Sequence, residues 1–246
     1  MIEGQEGVTW DHWRALATTA EDAGFEALFR SDHYESLGGA PNRGSLDAWS
    51  TVNALAGLTT SLKLGTLVSP VTFRHPSVLA RTVVTADHIS GGRVELGMGA
   101  GWHEGEHRSW HEEPFDFHGR LYRLDGADPQ PKPLQDPHPN LILGGSAGPR
   151  GAALAARWAD EYNTTFPTAE QARERKQRID AACADAGRDP ITFSAMIPLE
   201  GAPGELARRL RELEAAGVER VMLQHLAHDD LHTVRRVGRE VIPAVG

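Results

Sequence analysis

Short apolar runs alternate with longer amphipathic stretches along almost the whole chain. The apolar runs have the length and composition of buried strands. They cover residues 27–30, 62–68, 93–98, 140–143, 191–197 and 220–223, and residues 162–164 are expected to form a further short strand. The amphipathic stretches repeat their apolar positions with the period of helices that pack one face on a core. They cover residues 10–23, 46–58, 76–89, 150–159, 169–186, 204–216 and 229–241.

Strands that alternate with helices predict an α/β fold with a parallel sheet. When Met1 and Ile2 are counted as the end of a further strand, the chain has about eight strands, the number that closes a (β/α)₈ barrel. The length of 246 residues also fits one such barrel, which typically needs about 250 residues. We therefore expect residues 1–246 to form a single TIM-barrel domain.

Residues 109–140 interrupt this alternation. They contain six prolines and no helical period, although a parallel crossover needs a dozen or more residues and usually a helix. We expect a proline-rich hairpin or lid here, inserted into the barrel. The short first strand and the abrupt join at Pro198 further predict that a complete barrel would contain segments this chain lacks. Their expected places are before Met1, after about Arg108 and near Pro198.

Composition and charge indicate which kinds of molecule the protein is expected to bind. The net charge of −9 disfavours a general binder of nucleic acid or anionic membranes, because both would be repelled. No apolar run approaches the ~18 residues of a membrane helix, and the first residues lack the basic and apolar segments of a signal peptide. The single cysteine, Cys183, excludes an intramolecular disulfide. We expect a cytoplasmic protein that acts on a small molecule.

Polar side chains gather where the predicted strands end, which is where (β/α)₈ barrels build their active sites. Ser31, Asp32 and His33 directly follow the run 27–30. A carboxylate beside an imidazole can orient and tune it for proton transfer. The alternative is an aspartate that caps the next loop beside an unrelated histidine.

A glycine-rich turn follows the run 140–143 and opens directly into a helix. Its residues are Gly144, Gly145, Ser146, Ala147 and Gly148. The backbone N–H groups of such a turn can approach a phosphate, and a helix N-terminus favours negative charge. The turn matches neither the dinucleotide-binding nor the P-loop pattern, so a purely structural strand-to-helix turn stays open.

His103, Glu104 and His107 form a literal HExxH sequence. This pattern binds zinc when both histidines lie on one face of a helix. Here it follows a glycine-rich strand end, and Gly105 in its middle is a poor helix former. A zinc hydrolase is therefore a minor alternative, and we expect no metal.

Five segments of the chain resemble the bacterial luciferase-like monooxygenase superfamily. They are residues 1–10, 25–34, 65–76, 91–106 and 144–163. The likeness runs in order along nearly the whole chain, and it points to the actinobacterial branch of coenzyme F420-dependent oxidoreductases. It implies a barrel that holds a flavin or 5-deazaflavin at its mouth, and a homodimer at the level of the family.

The resemblance also implies roles for particular residues. Asp32 would line the cofactor ring, a bulge that often contains a non-proline cis peptide would support the ring from behind, and the glycine-rich turn would hold the cofactor phosphate. The cofactor-binding positions are Asp32, Leu67, Val68, Ser69, Gly99, Trp102, Gly144, Gly145, Ser146, Ala147 and Gly148. The catalytic positions are His33, which would move a proton, and Glu106, which matches a recurrent acid.

The resemblance favours hydride transfer between coenzyme F420 and an unidentified small organic substrate. Trp102 stands where the F420-dependent sugar-phosphate dehydrogenases of this superfamily carry a glutamate, so oxidation of a sugar phosphate is not expected. An FMN-dependent monooxygenase is the neighbouring alternative on the same scaffold. A flavin-binding protein without catalytic activity is the alternative from another class.

Overall fold

The computed structural model describes residues 1–33, 36, 43–71, 73–99, 115–118, 123–127 and 133–245, with only the backbone at 115–117 and 123–127. The strands are β1 (Ala27–Arg30), β2 (Lys63–Pro70), β3 (Val94–Gly99), β4 (Phe115–His118), β5 (Arg123–Ala127), β6 (Asn140–Gly144), β7 (Glu161–Thr165), β8 (Thr192–Pro198) and β9 (Arg220–Gln224). All but β4 and β5 form one parallel sheet, in the spatial order β1-β2-β3-β6-β7-β8-β9. The predicted parallel sheet is confirmed.

The helices of the described residues are α1 (Trp10–Asp22), α2 (Ala48–Ala56), α3 (Pro76–Ser90), α4 (Pro149–Trp158), α5 (Ala169–Asp185), α6 (Pro203–Glu214), α7 (Leu231–Glu240) and α8 (Ile242–Val245). Capping explains several of their ends. Thr9 and Thr168 each accept a backbone hydrogen bond three residues into α1 and α5, as good N-caps do. Gly91 ends α3 in the left-handed conformation, which glycine adopts at little cost.

Met1 and Ile2 join the two edge strands of the sheet. Ile2 N–H donates to the carbonyl of Phe29 at 2.9 Å, and Ser31 N–H donates to the carbonyl of Ile2 at 3.1 Å. On the other side, His225 N–H donates to the carbonyl of Met1 at 2.9 Å. The Met1–Ile2 segment therefore occupies the expected position between β1 and β9, and the ring of hydrogen bonds closes there.

Apolar side chains fill the space inside the sheet and the space between the sheet and its helices. The interior cluster is made by Met1, Phe29, Leu67, Ile142 and Met222. Two larger clusters lie between the strands and the helices. Because both faces of the parallel sheet are covered, most of its strands are rich in apolar residues, and β7 is the polar exception. This arrangement positions the carboxyl ends of the strands at one face of the barrel.

A buried charge cluster lies at the opposite end, where the strands begin. Arg220 at the start of β9 bonds Glu95 at 2.6 Å and Glu161 at 2.9 Å. Burial acts to lower the pKa of Arg220, but the hydrogen bond and charge of Glu95 outweigh it and raise the pKa. Burial also raises the pKa of Glu161, which Arg220 only partly offsets. Removing Arg220 should lower the free energy of unfolding, because a buried charge without its partner destabilises the folded protein.

The strands β4 and β5 form a separate antiparallel pair in which Phe117 lies opposite Leu124. They fall within the span 109–140 that the sequence predicts to be an inserted hairpin. A role as a lid stays a prediction. Among the described residues, no helix is both long enough and apolar enough to cross a membrane.

Candidate functional site

The carboxyl ends of β1, β2, β3 and β6 come together at one face of the barrel. Ser69, at the end of β2, donates a hydrogen bond to the Asp32 carboxylate beyond β1 at 3.0 Å. A Cβ atom built on Gly99, at the end of β3, would lie 2.6 Å from Cγ2 of Val68. These contacts bring together residues that are far apart in sequence.

Asp32 is buried, with 1% of its surface exposed, and its carboxylate is fully engaged. Nη1 of Arg74 donates to Oδ2 at 2.5 Å and Nη2 donates to Oδ1 at 3.2 Å, while Ser69 also donates to Oδ2. The interpretation that Asp32 orients the imidazole of His33 does not match this arrangement. Asp32 and His33 are adjacent in sequence, but the Asp32 carboxylate accepts its hydrogen bonds from Arg74 and Ser69.

His33 lies at the edge of this cluster and is half-buried. Its backbone carbonyl accepts a hydrogen bond from Oγ of Ser45 at 2.8 Å, which fixes the backbone beyond β1. Its assignment as a proton carrier stays a prediction.

The end of β2 forms a bulge. The register with β3 shifts between Thr66 and Ser69, and the peptide bond between Leu67 and Val68 is cis. A non-proline cis peptide at this place is what the family resemblance implies. Oγ of Ser69 also accepts a hydrogen bond from Nε1 of Trp49 at 2.9 Å, so a tryptophan of α2 anchors the bulge from below.

Val68 occupies the space between two glycines at neighbouring strand ends. Cγ2 of Val68 occupies the space that a side chain on Gly99 would need. Cγ1 of Val68 lies 4.0 Å from a Cβ atom built on Gly144. The side chain is only partly buried and packs against the interior cluster. Val68 therefore provides an apolar surface bordered by bare backbone, which suits a flat ring.

Internal hydrogen bonds hold the glycine-rich turn after β6. Gly145 N–H donates to the carbonyl of Asn163 at 3.0 Å, and Ala147 N–H donates to Oη of Tyr162 at 2.9 Å. Both residues have positive φ, 149° for Gly145 and 54° for Ala147. Tyr162 was not among the predicted site residues, because the sequence of a short strand does not indicate which backbone group a tyrosine hydroxyl contacts.

The turn leads into α4 without a side-chain cap. Gly148 is the N-cap residue and Pro149 is the first helical residue. The N–H groups of a first helical turn have no partner within the helix, and together with the helix dipole they favour an anion. Gly144, Gly145 and Ser146 are exposed. Gly145 and Ala147 use their own N–H groups within the protein, and Pro149 has no N–H group. Fewer donors are therefore available to an anion here than the glycine-rich sequence indicates.

Several predicted residues lie outside the described part of the chain. They are Trp102 and Glu106 of the proposed cofactor site, and His103, Glu104 and His107 of the HExxH sequence. Within the described residues, no group of three or more His, Cys, Asp or Glu side chains could hold a metal ion.

Cavities border both ends of β9. A cavity of about 480 Å³ lies on the face of the candidate site, between Glu3, Gln5, Arg43 and Gln224. A cavity of about 630 Å³ lies between β1, β9 and α6–α8, and is lined mainly by apolar side chains such as Phe29 and Val221. Neither of these two cavities is lined by the residues predicted to bind cofactor, which lie at the ends of β1, β2, β3 and β6.

Comparison with models of known protein families shows the family to which the chain belongs. The family model for luciferase-like monooxygenases matches residues 2–109 and 106–209. The chain belongs to the luciferase-like monooxygenase family.

Two curated proteins of known activity are similar to this luciferase-like chain. An FMNH(2)-dependent dimethylsulfone monooxygenase of Pseudomonas putida is 29% identical over 211 residues, which cover 74% of this chain and 57% of that protein. An F420-dependent glucose-6-phosphate dehydrogenase of Nakamurella multipartita is 34% identical over 179 residues, which cover 61% of this chain and 50% of that protein. The match thus spans about half the length of each of these two relatives.

The fold itself matches that of a solved luciferase-like structure. An F420-dependent secondary alcohol dehydrogenase, solved in complex with an F420-acetone adduct, superposes with a TM-score of 0.87 and 19% sequence identity. The match covers 100% of this chain and 98% of the other. The predicted (β/α)₈ barrel of the luciferase-like type is confirmed.

Proposed function

We propose that the protein is an oxidoreductase that transfers a hydride between coenzyme F420 and a small organic substrate at the mouth of the barrel. The observation that carries the proposal is the position of Val68. Its side chain presents an apolar surface between the bare backbones of Gly99 and Gly144. A planar ring could lie there without meeting side chains from either neighbouring strand end.

The described residues fit a deazaflavin or flavin that carries a phosphate. The ring has an apolar support in Val68, and the uncapped first turn of α4 offers N–H donors to an anion. A bound deazaflavin would supply the hydride-carrying ring, while the protein binds it and orients it toward the substrate. The relative named as an F420-dependent dehydrogenase supports this choice of cofactor.

The side chains have separate tasks in this proposal. Asp32, Ser69 and Trp49 hold the bulge that carries Val68. Tyr162 holds the glycine-rich turn in front of α4. His33, next along the chain from Asp32, would hold or release the proton that accompanies hydride transfer.

An FMN-dependent monooxygenase is the second candidate, and the Pseudomonas putida relative named as FMNH(2)-dependent favours it. The same apolar support and the same phosphate donors would serve FMN. The F420-dependent oxidoreductase and the FMN-dependent monooxygenase therefore differ in the cofactor that binds at the barrel mouth. The same residues would form the site in both.

Titration of the purified protein with coenzyme F420 and with FMN, each followed by absorbance and fluorescence, tests the proposal. We expect submicromolar binding of F420 and much weaker binding of FMN. The reverse preference would replace the first candidate by the second, and binding of neither cofactor would overturn both. Reduction or oxidation of bound F420 by a panel of alcohols and ketones would then separate an enzyme from a cofactor-binding protein without turnover.

A matched pair of glycine variants tests where the phosphate lies. Gly145→Ala would place a Cβ 3.0 Å from Oη of Tyr162 at a residue with positive φ, and we expect it to weaken F420 binding at least tenfold. Gly187→Ala also changes a glycine with positive φ, but no atom lies within 4 Å of its Cβ position. This control variant should bind within about twofold of the parent. Equal effects of the two substitutions would place the phosphate elsewhere.

A further inference from the structure

The guanidinium group of Arg74 links two acidic residues from different parts of the barrel mouth. It donates to both carboxylate oxygens of Asp32, at 2.5 and 3.2 Å. Its Nη2 also donates to Oδ2 of Asp47 at 2.6 Å. Arg74 lies in the loop between β2 and α3, Asp32 lies beyond β1, and Asp47 is the N-cap of α2. One side chain thus connects three loops.

Asp32 depends on this link because it is almost completely buried. An ionised carboxylate away from water is costly unless it is paired and hydrogen-bonded. Arg74 supplies the positive charge in a two-nitrogen contact, which is the strongest form of such a pair. Burial acts to lower the pKa of Arg74, but the hydrogen bonds to Asp32 and Asp47 outweigh it and raise the pKa. Arg74 therefore stays charged.

Asp32 in turn is bound to the bulge. Its Oδ2 accepts from both Arg74 and Ser69, and Ser69 directly follows the cis peptide segment that carries Val68. Oγ of Ser69 receives the N–H of Trp49 from the other side. The charge on Arg74 is thus two hydrogen bonds away from the segment on which the proposed ring would rest.

We propose that Arg74 is a positioning residue of the cofactor site: it neutralises Asp32 and thereby holds Ser69 and the Leu67–Val68 segment in the arrangement that supports the ring. This inference rests on the proposed function. A lysine could not replace it fully, because one ammonium group cannot make a forked contact with Asp32 and reach Asp47 as well.

Cofactor binding by four variants tests the inference: Arg74→Ala, Arg74→Lys, Asp32→Asn and the double variant Asp32→Asn with Arg74→Ala. For Arg74→Ala we expect the dissociation constant of the preferred cofactor to rise at least tenfold. Arg74→Lys should recover part of the loss. The double variant should bind several-fold better than Arg74→Ala alone, because the buried charge that Arg74 neutralises is gone. Arg208→Ala, which removes a surface arginine of α6 that is 67% exposed, serves as the control.

The double variant separates positioning from a general loss of fold. All affinities are measured at a temperature at which circular dichroism shows each variant to be folded. If Arg74→Ala is folded and binds as tightly as the parent, the inference is overturned. It is also overturned if the double variant binds no better than Arg74→Ala. A parent protein that binds neither F420 nor FMN would instead overturn the proposed function, and this inference with it.

Discussion

Oη of Tyr162 accepts a hydrogen bond from the backbone N–H of Ala147 at 2.9 Å. Tyr162 lies on β7, while Ala147 belongs to the turn between β6 and α4, and both are buried. The contact therefore holds the turn against the neighbouring strand and sets the direction in which α4 begins. It also removes one N–H group from the set that could bind a phosphate.

Substituting Tyr162→Phe should test this contact directly. The ring would keep its packing, but the buried N–H of Ala147 would lose its acceptor, which typically costs about 1–3 kcal/mol. We expect the free energy of unfolding, measured by denaturant titration, to fall by about that amount. We also expect F420 to bind several-fold more weakly. Unchanged stability would show that water or another group replaces the hydroxyl.

Substituting Gly99→Ala should disturb the apolar surface of the mouth. The new methyl group would lie 2.6 Å from Cγ2 of Val68, and the β-branched valine has few ways to turn aside. Overpacking of this kind typically costs about 1–3 kcal/mol, and we expect cofactor affinity to fall as well.

The double variant Gly99→Ala with Val68→Ala gives the control for this clash. It removes the colliding methyl groups, so its loss of stability should be smaller than the sum of the two single losses. Strict additivity in the unfolding free energies would contradict the close contact between the two residues.

Substituting His33→Gln should separate binding from chemistry. If His33 moves the proton, kcat should fall by about 10²–10⁴-fold, while the dissociation constant of the cofactor changes little. His232→Gln, an exposed histidine on α7, is the matched control and should leave kcat unchanged. Steady-state kinetics with any accepted substrate provide the measurement, and a fully active His33→Gln enzyme would remove His33 from the mechanism.

Substituting Arg220→Ala should destabilise the barrel from its other end. It would take the guanidinium away from the buried carboxylates of Glu95 and Glu161 and leave Glu95 only the partly exposed Lys63, at 3.3 Å. Breaking a buried pair in this way costs about 3–5 kcal/mol. Arg208→Ala removes an exposed pair with Glu212 and should cost no more than about 1 kcal/mol. Denaturant titrations of both variants check the difference, and similar costs would contradict the role assigned to the cluster.

Glu21 should make stability depend on pH in the acidic range. Burial acts to raise its pKa, but the N–H groups of Ser61, Leu62 and Thr60 outweigh it and lower the pKa from 4.5 to about 2. A lowered pKa means that the stabilisation is complete above the ordinary value and is lost as the pH falls toward 2.

Thermal unfolding of the parent and of Glu21→Gln across this range gives the measurement. The parent should have the higher Tm at pH 7, and the difference should narrow as the pH falls from about 5 to 3. A difference that stays constant over this interval would show that the charge of Glu21 contributes nothing.

The barrel architecture could be predicted from local sequence patterns alone. Burial of the strands on both faces produces continuous apolar runs, and helices that cover the sheet produce the amphipathic stretches between them. Both signals are local, so β1 was predicted at its exact bounds and α3 and α5 to within one residue at each end. The order of strands and helices also predicts that Asp32, Ser69 and Gly144 lie at the same end of the barrel, because each is at or just beyond the carboxyl end of a strand.

Which polar groups come into contact at that end of the barrel could not be predicted from the sequence. Asp32 bonds Arg74, which is 42 residues away, and not the imidazole beside it in sequence. Trp49 donates a hydrogen bond to Ser69, and Tyr162 accepts one from Ala147. No local sequence pattern predicts either contact. Such pairings depend on the register and the relative rotation of neighbouring strands and helices. The packing of the whole barrel sets the register and the rotation. They cannot be predicted from the periodicity of a single segment.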